Sequence, residues 1–116
     1  MQLRTEALAG GVTRAIPEGH WDIKGAAEID LRLSAVTGSG RPIILDLAQV
    51  SYLCSMGIRS IVMSAKACRL RGGKFVLLAP AENVQEVLTI AGIDTLVPIY
   101  HDIEAAILAV TGQAAG

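Results

Sequence analysis

The stretch that decides the fold is Pro42–Gly73, PIILDLAQVSYLCSMGIRSIVMSAKACRLRGG. Ile43–Leu47 is a nearly continuous apolar run, the pattern of a strand covered inside a central sheet. Gln49–Leu53 extends it toward a hinge. From Met56 to about Arg71 the period changes to that of a helix, with Ile58, Ile61, Val62, Ala65 and Cys68 on one face. The opposite face carries Met56, Arg59, Ser60, Met63, Lys66 and Leu70, and is more apolar than a merely solvated one. Gly72-Gly73 supplies a left-handed stop. A small polar hinge, Cys54-Ser55-Met56-Gly57, therefore joins an apolar strand to a helix, where an α/β domain presents chemistry or a docking surface.

Upstream, residues 3–9 and 12–16 form a short hairpin about Gly10-Gly11, whose positive φ angles suit a two-residue turn. Pro17 blocks further ladder pairing on its side, and Gly19-His20-Trp21-Asp22 reads as a loop or strand end. Asp22 is the N-cap of a helix from about Ile23 to Val36, with Ala26, Ile29, Leu33 and Val36 as its apolar stripe. Gly38-Ser39-Gly40 ends that helix and precedes a strand, the reverse of a dinucleotide fingerprint, so it is a linker.

Downstream, Lys74–Ala79 is a second buried strand ended by Pro80. A short helix over Ala81–Ala91 turns Val84, Val87, Leu88 and Ala91 inward. A last strand lies around Val97–Ile99, and Asp102 opens a C-terminal helix with Ile103, Ala106, Ile107 and Val110 inward. The order β-β-α-β-α-β-α-β-α predicts an α/β domain with a mixed, mostly parallel sheet and a leading β-hairpin. Residues 1–112 form one domain and 113–116 a frayed tail.

Composition narrows the function. The 116 residues are 52% hydrophobic and 18% charged, enough to fill an aliphatic core without a metal or disulfide. Ten basic against eleven acidic residues leave a net charge of -1, which argues against nucleic acid as a partner. No apolar run reaches the ~20 residues that span a bilayer, so direct membrane insertion is not expected. MQLRTEALAGG lacks the apolar core of a signal peptide, and two cysteines without export signals point to a reducing cytoplasm. With helix between them, Cys54 and Cys68 stand roughly 20 Å apart and do not pair. His20 and His101 are isolated, so no metal, cofactor or catalytic cluster is expected.

At the hinge, each residue has two readings. Ser55 is an N-cap, worth about 1 kcal/mol, or a phosphoacceptor whose phosphate would meet the open amides and positive end of the helix. Cys54 closes the strand as a small apolar residue or is a thiol activated by the helix terminus. Met56 and Met63 are core methionines or an adaptable docking face, and their phase opposite Ile58 and Ile61 favours the second no less than the first.

Three runs, I-L-D-L-x-x-V-x-x-L-x-S-x-G-I from Ile44, L-R-G-G-K-F-V-L-L-A-P from Leu70 and V-L-T-I-A-G-I-D-T-L-V-P-I-Y from Val87, resemble in order and spacing the STAS domain of the anti-sigma factor antagonist family. Gly19-His20-Trp21-Asp22 is similar to that family's Gly-x-Leu-Asp segment. The resemblance implies about four helices packed mainly on one side of the sheet and no catalysis by the domain itself. It also implies a partner that is both anti-sigma factor and serine kinase, a phosphoacceptor at Ser55 within an Asp-Ser-x-Gly motif, and a phosphatase that reverses the modification. Gly57 falls on the motif glycine, whereas Cys54 stands where the family has Asp. Partner binding is then expected through Cys54, Ser55, Met56, Gly57, Arg59, Met63 and Lys66. A competing reading keeps the fold but makes the chain a subunit of a lipid-trafficking ABC transporter complex, docking an ATPase or permease without phosphorylation. A small-molecule sensor or thiol enzyme is the third class, with no nucleotide or His-Cys motif to favour it.

Overall fold

The computed structural model describes residues 1–112; the tail expected at 113–116 lies outside the described residues. Strands β1 (Gln2–Ala7) and β2 (Thr13–Trp21) form an antiparallel hairpin, with Leu3 opposite Pro17 and Ala7 opposite Thr13. Helix α1 (Ile23–Thr37) follows, then β3 (Ile43–Asp46), β4 (Val50–Leu53), α2 (Ser55–Leu70), β5 (Phe75–Leu78), α3 (Glu82–Ile90), β6 (Ile99–Tyr100) and α4 (Ile103–Thr111). The sheet runs β1-β2-β3-β5-β6, with every pair after the hairpin parallel and β4 also paired with β2.

Alternation along the strands divides the core between the two faces. Ile43, Leu45, Phe75 and Leu77 pack with Ala26, Ile29 and Leu33 of α1, Ile61, Ala65 and Cys68 of α2, and Val84 and Leu88 of α3. Ile44, Val76 and Leu78 face the other way, onto Ala106 and Val110 of α4. Three helices thus cover one face and one covers the other. Each fully buried Ile or Leu contributes about 1.5–3 kcal/mol relative to exposure, so Ile29 and Leu33 are the largest apolar anchors of α1 on the sheet.

The expected β-strand end at Pro17 is wrong: β2 continues to Trp21. Its residues 13–15 pair with β3 and residues 19–21 with β4, with a register shift at Gly19/His20. The missing Pro17 N–H falls in the gap between those partners, where that edge asks for no ladder bond. The hairpin is closed by a three-residue loop, Ala9–Gly11, not a two-residue turn; Gly10 and Gly11 both take positive φ, 78° and 75°, which glycine adopts without steric cost. Ala91, expected inward, is exposed. The last strand begins at Ile99 because Ile93–Thr95 forms a 3-10 turn that uses up the preceding residues.

Candidate functional site

β2 and β4 lie side by side and parallel, Trp21 opposite Leu53, so the helices that follow them start as neighbours. The Cys54 amide donates to the Trp21 carbonyl at 2.9 Å and ties the two corners together. Each corner has the same plan: a cap residue, two exposed residues, then a buried glycine, Asp22-Ile23-Lys24-Gly25 beside Cys54-Ser55-Met56-Gly57.

The glycines are dictated by close approach. A Cβ on Gly25 would run into the backbone carbonyl of His20. On Gly57 it would sit 2.5 Å from Leu53 Cδ1 and 2.8 Å from Trp21 Cγ. Trp21 is fully buried beneath this turn, and its indole N–H has no acceptor among the described residues.

The caps differ. Asp22 Oδ1 accepts from the Gly25 amide at 2.7 Å. Cys54, with the extended backbone of an N-cap, makes no side-chain cap bond. The first bond along α2 runs from the Ile58 amide to the Cys54 carbonyl, 3.1 Å, so the amides of Ser55, Met56 and Gly57 have no partner along the helix. Ser55 is therefore not the N-cap that its type suggested: it is the first residue of α2, exposed, and its hydroxyl makes no hydrogen bond among the described residues. The first turn carries no acidic side chain.

Around Ser55 the surface is apolar at the rim. A shallow cavity of about 400 Å³ is lined by Asp22, Ile23, Lys24, Tyr52, Cys54, Ser55 and Met56. Ile23 is 71% exposed and Tyr52 46%. Tyr52 stacks on His20, ring centroids 5.1 Å apart, and His20 Nδ1 lies 2.9 Å from Ser51 Oγ. Sequence reasoning missed Ile23, Lys24 and Tyr52. The signal for Ile23 was present: a bulky apolar residue off the Ala26-Ile29-Leu33 stripe.

Along α2, Met56, Arg59, Met63, Lys66 and Leu70 are exposed as expected. Ser60, expected with them, is buried; its hydroxyl lies 2.7 Å from Asp30 Oδ1 on α1 and 3.1 Å from the Met56 carbonyl. Helix α1 crosses that side of α2 and leaves a groove of about 440 Å³ with Asp30, Met56, Arg59, Ser60 and Met63 among its lining residues.

The cysteines are separate and free. Cys68 is fully buried, with its thiol facing the carbonyls of Lys74 and Arg41 at 3.5 and 3.6 Å; burial pushes the thiol above its ordinary pKa, with Arg69 opposing weakly. Cys54 is half-buried, and among the described residues no side chain is hydrogen-bonded to its thiol. Among the described residues no group of His, Cys, Asp or Glu is placed to hold a metal ion. No helix there is long and apolar enough to cross a membrane.

A single mixed sheet, a leading hairpin and an exposed serine opening the second helix define a small α/β domain of the STAS type. Residues 17–106 match the STAS domain family, and the chain belongs to it. A protein of Bordetella bronchiseptica named as an anti-sigma factor antagonist, BtrV, is 31% identical over 97 residues, 83% of this chain and 84% of that one. The crystal structure of TM1081 from Thermotoga maritima, named in the same way, has a TM-score of 0.83 at 26% identity over 93% of both chains. SpoIIAA, an anti-sigma factor antagonist solved in its unphosphorylated form, has a TM-score of 0.79 at 19% identity over 97% of this chain and 99% of that one, a likeness of fold alone. SpoIIAA of Bacillus is also known in a phosphorylated form.

Proposed function

We propose that this chain is an anti-sigma factor antagonist, a non-enzymatic binding module that docks a serine-kinase anti-sigma factor through Cys54–Gly57 and the outward face of α2. Ser55 is its phosphoacceptor. The observation that carries this reading is the open start of α2: an exposed hydroxyl and three amides without a hydrogen-bond partner among the described residues, rimmed by Ile23, Tyr52 and Met56.

In the transfer, Ser55 Oγ attacks the γ-phosphorus of ATP held by the kinase. The bond from that phosphorus to ADP breaks, and the hydroxyl proton passes to a base of the kinase. The product carries about two added negative charges. These meet the free amides and positive end of α2, so the domain keeps its fold. A partner packed on the same corner has to desolvate the phosphate against its own surface and leaves. Hydrolysis by a phosphatase restores the hydroxyl.

Cys54 supports a second reading. Without the motif carboxylate, docking persists while phosphorylation is lost, as in an adaptor subunit of a lipid-trafficking ABC transporter complex. One experiment separates the two. The chain is incubated with a serine-kinase anti-sigma factor of its own organism and ATP, and the phosphosite is mapped. Phosphate on Ser55 that is lost in Ser55→Ala is the expected result; an unmodified chain that still binds assigns the adaptor.

A further inference from the structure

Helix α2 carries Arg59, Lys66 and Arg69 and no acidic residue, in a chain of ten basic and eleven acidic residues whose other elements are therefore net acidic. Arg69 is turned aside: its guanidinium donates to the Leu96 carbonyl at 2.6 Å. Arg59 and Lys66 remain on the outward stripe with Met56, Met63 and Leu70, and neither has a hydrogen bond or ion pair among the described residues. Met56 is 36% exposed, Met63 55% and Leu70 86%. From Ser55 to Leu70 the stripe runs about 22 Å at 1.5 Å per residue. The acids beside it form no ion pair with these cations: Asp30 accepts from the Ser60 hydroxyl and Asp22 from the Gly25 amide.

We infer that the surface this stripe receives is an acidic protein surface, a helix or ridge whose carboxylates face Arg59 and Lys66 and whose apolar side chains meet the methionines. This rests on the reading of the outward face of α2 as the docking face, and adds the partner's chemistry. Two unpaired cations on a helix with no acidic residue of its own, against the single carboxylate of Asp30 at the groove's edge, disfavour a basic partner and steer an acidic one. Methionines between them fit side chains of varied shape.

Two other anionic partners fit less well. Duplex DNA carries a charge every ~1.7 Å of axis and binds through many cations, where this stripe offers two. Helices that lie in a membrane surface keep cations and apolar residues on opposite faces. Here they share one face, and the apolar face of α2 is already in the core.

The test uses two synthetic 16-residue helical peptides: one with a Leu and Met stripe flanked by Glu, and a twin with Lys for every Glu. Each is titrated into the isotope-labelled chain and followed by amide chemical shifts. The acidic peptide is expected to shift residues 55–70 and to bind more weakly as salt rises, and the Lys twin not to bind. Arg59→Glu with Lys66→Glu, both exposed and checked for an intact spectrum, should weaken the acidic peptide by about tenfold per charge and let the twin bind. Equal binding of both peptides, no binding of the acidic one, or shifts centred elsewhere overturns the inference. Displacement of the peptide by phosphatidylglycerol vesicles or a 16-base-pair duplex at lower concentration reassigns the face to a membrane or to nucleic acid. No kinase enters this assay. Failure of Ser55 phosphorylation with a positive peptide result removes the antagonist reading alone, and the converse removes the acidic partner alone.

Discussion

The two corners that open α1 and α2 are built alike and finished differently. Both leave parallel neighbouring strands, and both place a glycine three residues after the cap because the chain ahead lies too close for a Cβ. At the first, Asp22 closes the helix start with a 2.7 Å bond. At the second, Cys54 leaves the helix start open, and the exposed residue beside it is a serine. Stability alone favours closing both. The proposed function uses the corner where the cap is withheld, and the rim of Ile23, Tyr52 and Met56 lies between the two.

The glycines are the strongest way to break this comparison. Gly25→Ala sets a Cβ against backbone that cannot swing aside, and should cost about 3 kcal/mol in denaturant melts. Gly57→Ala meets side chains, Leu53 and Trp21, which yield in part; about 1–2 kcal/mol is expected. A larger loss at Gly57 would mean that the second corner is the tighter one. The caps give a smaller effect of opposite sign. Asp22→Ala should lose about 1 kcal/mol and Cys54→Asp gain up to about 1 kcal/mol, because the second adds the missing acceptor at a positive helix end. No gain from Cys54→Asp would show that the second start is already satisfied.

The framework was legible because its signals are local. Unbroken apolar runs mark β3 and β5, helical stripes mark α1 and α2, and Asp22 and Asp102 mark caps that the structure keeps at 2.7 and 3.2 Å. What escaped depends on partners distant in sequence. Pro17 reads as a strand end until β3 and β4 are seen to share one edge of β2, leaving a gap at the proline. Ser60 sits among outward residues by phase and is buried only because α1 crosses there. Ser55 stands out in the sequence, but the cap position belongs to Cys54, and a one-residue offset at a helix end is beyond periodicity. Ile23 and Tyr52 come from two different corners, and only the pairing of β2 with β4 makes them neighbours of Ser55.

The central claim, that α2 and its open corner are the docking face, is tested most directly at Met63. Isothermal titration of the chain and of Met63→Glu with its anti-sigma factor should show at least about tenfold weaker binding for the variant, since a carboxylate is desolvated where a methionine packed. An unchanged affinity, with Met63→Glu folded, would place the partner on another surface and contradict the account.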